Sequence, residues 1–129
     1  KQPFSVIMLD LEYFKLINDK FGHKAGDETL VHFSKILLRV FGKENFISRV
    51  GGDEFLIVNN VDNMKELLEY KNRLKTEMNQ YNTYKLLKEL GVSFGAKLYD
   101  NNAKLTLDTI FDEVDDLMYI DKNTNKQKN

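Results

Sequence analysis

The amino-acid sequence predicts an α/β (α+β) domain with a central, mainly antiparallel sheet flanked by helices. Its apolar residues recur at strand or helix spacing in the order β-α-α-β-β-α-β-α. Two predicted strands follow each other across a Gly-Gly turn, which indicates an antiparallel hairpin within the sheet. The 129 residues suffice for a single domain with its own hydrophobic core.

The first part of the chain predicts one strand and two helices. A nearly unbroken apolar run over residues 4–9 is typical of a strand buried on both faces. A short helix is predicted around Ile17, and a longer one from about Asp27 to Phe41 with Gly42 as its stop. The apolar positions predicted to face the core are Phe14, Ile17, Phe21, Leu30, Phe33, Leu37, Val40 and Phe41.

The remaining part predicts the hairpin, a helix, a strand and a last helix. Residues 46–50 and 55–58 are the hairpin strands, and Gly51-Gly52 is a favourable two-residue turn between them, because both glycines can take positive φ. Residues 92–99 alternate with small residues, as in a strand. Apolar positions of the two helices are predicted at Met64, Leu67, Leu68, Leu74, Met78, Ile110, Val114, Leu117 and Met118.

Three carboxylates stand at the ends of these strands. Asp10 ends the first apolar run, and Asp53 and Glu54 follow the Gly-Gly turn. Because open α/β sheets bind ligands at the carboxyl ends of central strands, we expect the three acids to converge on one hard cation. The alternatives are a solvent-exposed hairpin for Asp53 and Glu54, and a strand-ending or helix-capping acid for Asp10.

Composition excludes several classes of protein. A net charge of -1 gives no reason to expect nucleic-acid binding, and the absence of cysteine excludes a disulfide framework. No apolar stretch is long enough to cross a bilayer, so we expect a cytoplasmic domain. The chain begins at Lys1 without an initiating Met. We therefore expect an excised C-terminal part of a larger sensor protein, whose membrane attachment the sequence leaves open.

Several motifs occur in order along nearly the whole chain. Residues 51–55 read Gly-Gly-Asp-Glu-Phe, residues 10–27 resemble Asp-x-Asp-x-Phe-Lys-x-x-Asn-Asp-x-x-Gly-His-x-x-Gly-Asp, and residues 92–96 resemble a Val-Ser-x-Gly strand. Residues 115–122 partly resemble an Ala-Asp-x-Ala-Leu-Tyr-x-Ala-Lys helix. Together these motifs resemble the GGDEF domain, the catalytic domain of bacterial diguanylate cyclases. The resemblance implies the palm-like ferredoxin variant of nucleotide cyclases for residues 1–129.

The resemblance also implies an activity in bacterial signalling. A diguanylate cyclase is a Mg²⁺-dependent nucleotidyltransferase that condenses two GTP molecules into the second messenger cyclic di-GMP and releases pyrophosphate; Mn²⁺ is an alternative cation. Each domain binds one GTP, so the implied partners are a second copy and an N-terminal sensor or dimerisation module. The alternative is a catalytically weak GGDEF module that binds GTP or cyclic di-GMP as a regulatory sensor.

The resemblance assigns metal binding to Asp10, Asp53 and the carbonyl of Leu11. Glu54 supports the metal or helps to activate the attacking hydroxyl, so Asp53 and Glu54 are the implied catalytic residues. Glu12 stands where the family usually has a second Asp, and its effect on the metal site stays open.

Phosphate binding is implied for backbone groups and for two lysines. Gly52 would let the α-phosphate lie against the hairpin, and the outer phosphates would meet the backbone amides of Tyr13, Phe14 and Lys15. Lys122 matches the phosphate-contacting Lys of the family, while Lys126 stands near the usual position of an Arg, and a solvated tail is its alternative.

Guanine recognition is expected from Asn18 and Asp27, which match the family's guanine contacts. A carboxylate accepts hydrogen bonds from N1-H and N2-H of guanine, whereas it would leave the N1 acceptor of adenine unpaired. The alternatives are a helix-surface amide for Asn18 and an N-cap of the second helix for Asp27.

Overall fold

The structure is a computed structural model that describes residues 3–11, 14–42, 45–81, 92–100 and 105–128, without the side chains of Tyr81 and residues 125–128. Its elements follow the predicted order. They are β1 (Phe4–Leu11), α1 (Phe14–Phe21), α2 (His23–Phe41), β2 (Phe46–Arg49), β3 (Glu54–Asn59), α3 (Met64–Tyr81), β4 (Val92–Tyr99) and α4 (Leu107–Lys128). This confirms the predicted α+β class with an antiparallel sheet and flanking helices.

The sheet places β1 between two antiparallel neighbours. Its strand order is β2-β3-β1-β4. Asp10 of β1 pairs with Glu54 of β3 and with Ser93 of β4. Because β1 is central and carries helices on both faces, its residues from Ser5 to Leu11 are all buried. The prediction of a strand buried on both faces is therefore confirmed.

Alternate residues of β1 belong to two separate cores. Ile7 and Leu9 pack in the larger core with residues of α2 and α3. Val6 and Met8 pack in a smaller core with Val114 and Met118 of α4. Since successive strand residues point to opposite faces, Asp10 belongs to the face that α4 covers.

The first boundary of α2 differs from the prediction. The helix begins at His23 rather than Asp27, because Gly22, at φ 94°, separates α1 from α2. Asp27 therefore lies inside the helix, and the N-cap alternative for this residue is wrong. At the other end the predicted stop is confirmed, since Gly42 has φ 78° and its N–H donates to the carbonyl of Leu38 at 2.9 Å.

Some apolar residues that were predicted to face the core are exposed. The helices are amphipathic, and their buried stripes are narrower than the apolar pattern suggests, because a single sheet face covers one side of each helix. The exposed members are Phe21, Met64, Leu68 and Leu117. Within the described parts of the chain, no helix has the length and apolar character needed to cross a membrane.

Candidate active site

The acids of β1 and of the hairpin meet at one end of the sheet. Asp10 lies directly opposite Glu54 in the β1–β3 ladder, so their side chains are neighbours on the α4 face. The backbone N–H of Leu11 donates to the carbonyl of Asp53 at 3.0 Å, which extends the pairing beyond the end of β3. The expected convergence of Asp10, Asp53 and Glu54 is therefore present, with Leu11 beside them.

The turn of the hairpin differs from the predicted two-residue connection. Arg49 pairs with Phe55, and the carbonyl of Glu54 accepts hydrogen bonds from the N–H groups of Val50 at 2.9 Å and Gly51 at 3.4 Å. The connection therefore spans residues 51–53. Neither glycine of the turn has a positive φ, because the extra residue lets the chain reverse without one. The prediction of a two-residue Gly-Gly connection was wrong.

Arg49 fixes the two carbonyl groups of this turn. Its Nε lies 3.1 Å from the carbonyl oxygens of Gly51 and Gly52, and its Nη2 lies 2.7 Å from that of Gly52. A planar guanidinium can hold two acceptors at once, which restricts the turn to one shape. The acids at residues 53 and 54 consequently leave the turn in a defined direction.

Asp10 is a buried acid with one satisfied oxygen. Its Oδ2 accepts a 2.9 Å hydrogen bond from Nζ of Lys122, while its Oδ1 is buried and has no hydrogen-bond partner among the described residues. Burial raises the pKa of Asp10 to about 6; Lys122 opposes the rise, and the neighbouring Asp53 adds to it. Oδ1 therefore keeps an unused capacity to accept a hydrogen bond or to ligate a cation.

Glu54 shares the same electrostatic environment. Burial raises its pKa, and the negative charges of Asp115 in α4 and of Asp53 raise it further, while Lys122 partly opposes them. Burial is the main cause of both raised pKa values and the neighbouring carboxylates add to it; a concentration of negative charge of this kind attracts a cation. Among the described groups that shift these two pKa values, the single ammonium of Lys122 faces four carboxyl groups.

The donors fit a cation that is bound together with phosphate. Within the described residues, no three His, Cys, Asp or Glu side chains form a group that could hold a metal ion by themselves. Asp10 and Asp53 nevertheless lie side by side, and the buried Oδ1 of Asp10 lacks a partner. Mg²⁺ typically binds one or two carboxylates and completes its octahedron with phosphate oxygens and water.

Asn18 of α1 meets α2 at Gly26, the residue before Asp27. A Cβ added to Gly26 would lie 1.8 Å from Oδ1 of Asn18, so the Asn18 side chain rests directly on the glycine that precedes Asp27. Asp27 is exposed and borders a cavity of about 280 Å³ whose walls also include Arg49 and Phe55. Asp27 thus presents a carboxylate at an open cavity, an arrangement that can receive a planar base.

The expected phosphate contacts fall into three groups. Phe14 and Lys15 begin α1, and Gly52 has no atom within 4 Å of the place where a Cβ would stand, so the turn is open there. Lys122 lies at the acids through its bond to Asp10. Glu12, Tyr13 and the side chain of Lys126 lie outside the described residues.

Comparison with known proteins assigns this geometry to a family. The family model described as "Diguanylate cyclase, GGDEF domain" matches residues 1–128. The chain belongs to the GGDEF family. Its sheet and helices agree with this assignment, since the active GGEEF domain of a diguanylate cyclase from Vibrio cholerae superposes with a TM-score of 0.82 at 28% identity. That superposition covers 95% of this chain and 78% of the other.

Two curated relatives carry names from the same family. A diguanylate cyclase of Vibrio cholerae is 50% identical over 58 residues, which are 45% of this chain and 18% of the relative. The probable diguanylate cyclase DgcF of Escherichia coli K12 is 35% identical over 106 residues, which are 76% of this chain and 33% of the relative. This GGDEF domain therefore spans a third or less of these relatives.

Arg49 and Asp115 were not among the site residues predicted from the sequence. Arg49 stands just before the GGDEF signature, and its role became evident only through its bonds to the carbonyls of the turn. Asp115 lies in the helix that only partly resembles the family pattern, more than sixty residues after Glu54. Only the packing of α4 over the sheet brings its charge to Glu54.

Proposed function

We propose that this GGDEF domain is a diguanylate cyclase that condenses two GTP molecules into cyclic di-GMP with release of pyrophosphate. The observation that carries the proposal is the buried, unpartnered Oδ1 of Asp10 beside Asp53. A purely structural domain would have no reason to keep such a group, because an unsatisfied buried carboxylate oxygen destabilises the fold.

The acids would hold a Mg²⁺ ion, or Mn²⁺ in its place. In the proposed site the ligands are Asp10, Asp53 and the carbonyl of Leu11, and Glu54 supports the ion or accepts the proton of the 3′-hydroxyl. When bound, the ion supplies charge neutralisation on the phosphates and lowers the pKa of the attacking hydroxyl. The raised pKa of Glu54 brings this carboxyl group closer to the range in which it can take up a proton at neutral pH.

The remaining residues orient the nucleotide. Gly52 leaves space for the α-phosphate against the turn, and Lys122 neutralises charge on the phosphates. The outer phosphates meet the amides at the start of α1, from Tyr13 to Lys15, and Lys126 is proposed as a further phosphate contact.

Asn18 and Asp27 would bind the guanine edge at the opening of the cavity that Asp27 borders. An adenine would turn its N1 acceptor towards the Asp27 carboxylate and leave that nitrogen unpaired, which favours GTP.

Turnover would require two domains, because each site holds one of the two nucleotides that are joined. The chain spans only part of its relatives, and we propose that a further N-terminal module in the parent protein senses a signal and brings two copies together. GTP, the proposed substrate of the GGDEF domain, is a cytoplasmic nucleotide, so we propose that the domain lies in the cytoplasm. Attachment of the parent to a membrane would leave this arrangement unchanged.

The test is product formation from GTP and Mg²⁺ at high protein concentration, analysed by chromatography and mass. Asp53→Asn should abolish cyclic di-GMP, while Asp116→Asn, at an exposed position of α4, should retain activity. If the wild-type chain makes no product, it is fused to a dimeric coiled coil and assayed again. Recovery of activity would support the proposal, whereas GTP or cyclic di-GMP binding without any product would favour the regulatory module instead.

A further inference from the structure

Asp121 joins three elements of the fold through one carboxylate. Its Oδ1 accepts a 2.9 Å hydrogen bond from Nζ of Lys71 in α3, and its Oδ2 accepts a 2.8 Å hydrogen bond from the N–H of Phe94 in β4. The side chains of Lys71 and Asp121 are only 21% and 16% exposed. Because both oxygens have partners in other elements, this turn of α4 is fixed against the edge strand and α3.

The next residue along the helix is Lys122, whose ammonium reaches the acids of the site. It donates to Oδ2 of Asp10 at 2.9 Å, and its side chain is 35% exposed, so it faces both the acids and the solvent. A lysine side chain has several rotatable bonds, and the region it can reach depends on where its backbone is held. The contacts of Asp121 hold the backbone at the residue just before Lys122.

At the anchor this chain departs from the helix pattern that it partly resembles. In the helix pattern that residues 115–122 partly resemble, an Ala stands directly before the Lys that Lys122 matches, and here that position is Asp121. An Ala could neither pair with Lys71 nor accept the N–H of Phe94. The Lys71 ammonium also lies 5.8 Å from the centre of the Phe94 ring, so the ion pair is held from two sides.

We propose that Asp121 is a positioning residue: together with Lys71 it holds α4 so that the Lys122 ammonium reaches the phosphates of a nucleotide bound over Asp10. The inference rests on the phosphate contact of Lys122 in the proposed function. Asp121 itself contacts no substrate. Its effect is confined to the part of the nucleotide that Lys122 touches, and guanine binding at Asn18 and Asp27 is independent of it.

The test compares affinities for two ligands that share guanine but differ in their phosphates. One is a GTP analogue with a methylene bridge between the α- and β-phosphorus, which cannot be cleaved there, and the other is GMP; both are measured with Mg²⁺ and the full chain. Asp121→Ala and Lys71→Met should weaken binding of the analogue by about five- to tenfold and change GMP binding by less than about twofold. Asp121→Asn keeps the bond to Phe94 but loses the ion pair, and its affinity for the analogue should lie between those of Asp121→Ala and the wild type.

A double-mutant cycle separates positioning from a general effect on the fold. In the Lys122→Met background, Asp121→Ala should cause no further loss of analogue affinity, because the group that it positions is gone. Glu77→Gln, which removes the more exposed Arg39–Glu77 ion pair between α2 and α3, is the matched control and should bind both ligands like the wild type. Thermal unfolding shows whether each variant is folded at the temperature of the binding measurement. If Asp121→Ala is unfolded there, Lys71→Met and Asp121→Asn replace it.

Each outcome has a distinct meaning. Equal losses for the analogue and GMP, an additional loss in the Lys122→Met background, or no loss at all would overturn the positioning role. A wild-type chain that binds the analogue no more tightly than GMP would overturn the phosphate contact of Lys122 and with it the proposed function. Tight analogue binding by the wild type with an unchanged Asp121→Ala variant would overturn the inference alone.

Discussion

Gly95 of β4 lies directly against the backbone of Met118 in α4. A Cβ on Gly95 would stand 2.3 Å from the backbone nitrogen of Met118 and 2.4 Å from the carbonyl oxygen of Val114. Because backbone atoms cannot rotate away as a side chain can, only glycine permits this approach. One turn further along α4, the same approach brings Lys122 to Asp10.

Gly95→Ala should therefore destabilise the domain by displacing α4. Overpacking of this kind costs about 1 to 3 kcal/mol, and we expect the upper part of that range because the clash is with backbone on both sides. Urea unfolding measures the loss. Gly52→Ala is the matched control, since its added Cβ meets no atom within 4 Å, and it should be no less stable than the wild type. Equal midpoints for Gly95→Ala and the wild type would contradict the close packing.

Gly26→Ala should act on the nucleotide site with little effect on stability. Its Cβ would lie 1.8 Å from Oδ1 and 2.8 Å from Cγ of Asn18, and this side chain can rotate away. The higher helix propensity of Ala, worth about 1 kcal/mol over Gly, offsets part of the cost. The displaced amide should lower the preference for GTP over ATP. This preference is measured as the dissociation constant of ATP divided by that of GTP.

Asn18→Ala provides the comparison for this variant. It should lower the same ratio, and Gly26→Ala added to it should cause no further decrease, because the displaced group is already absent. A Gly26→Ala chain with the selectivity of the wild type would show that Asn18 does not read the base.

Asp10→Asn should change how stability depends on pH. Because the pKa of Asp10 is raised from 3.8 to about 6, mainly by burial, the folded chain binds this proton more tightly than the unfolded chain. The free energy of unfolding therefore falls as the pH rises from about 4 to 6, by roughly 2 to 3 kcal/mol for this group. An Asn does not titrate, so the variant should gain stability relative to the wild type across that window.

The measurement is urea unfolding at pH 4, 6 and 7.5 without divalent cations. The groups that face Asp10 are Lys122 and Asp53, with Glu54 opposite it, and they are present in both chains. Asp116→Asn, exposed on α4, should follow the pH dependence of the wild type. A constant difference between Asp10→Asn and the wild type at all three pH values would show that burial does not raise this pKa.

The sequence predicts the order of the elements and the convergence of the acids because both depend on local patterns. The apolar period identifies each strand and helix, and Asp10, Asp53 and Glu54 stand at strand ends, which the sheet brings together. The start of α2 could not be predicted this way. Its first turn packs on α1 through Gly26, a residue without an apolar side chain, so the hydrophobic pattern begins later than the helix.

Contacts between distant residues account for what the sequence did not predict in the site. The bonds of Asp121 to Lys71 and Phe94 join residues 50 and 27 positions apart, and no local pattern of α4 indicates them. The turn at residues 51–53 is a different case. Gly-Gly is compatible with several turns, and the choice depends on the pairing of Val50 with Glu54 and on the guanidinium of Arg49.

Arg49→Gln should lower turnover while leaving stability nearly unchanged. The guanidinium is exposed, so losing its bonds to Gly51 and Gly52 should cost less than about 1 kcal/mol. A looser turn would misplace Asp53 and Glu54, and small misplacements at a reacting centre lower rates by about ten- to a hundredfold. Arg49→Lys, which keeps the charge but not the planar fork, should be intermediate.

Arg73→Gln is the matched control for Arg49→Gln, because Nη2 of Arg73 also donates to an exposed carbonyl, that of Arg39, at 3.4 Å. This bond joins α3 to α2 and involves none of the acids. It should retain the kcat of the wild type. The expected signature of Arg49→Gln is a decrease in kcat with an unfolding midpoint like that of Arg73→Gln. Equal kcat values for Arg49→Gln and Arg73→Gln would contradict this prediction. They would show that the bonds of Arg49 to the turn do not orient the acids.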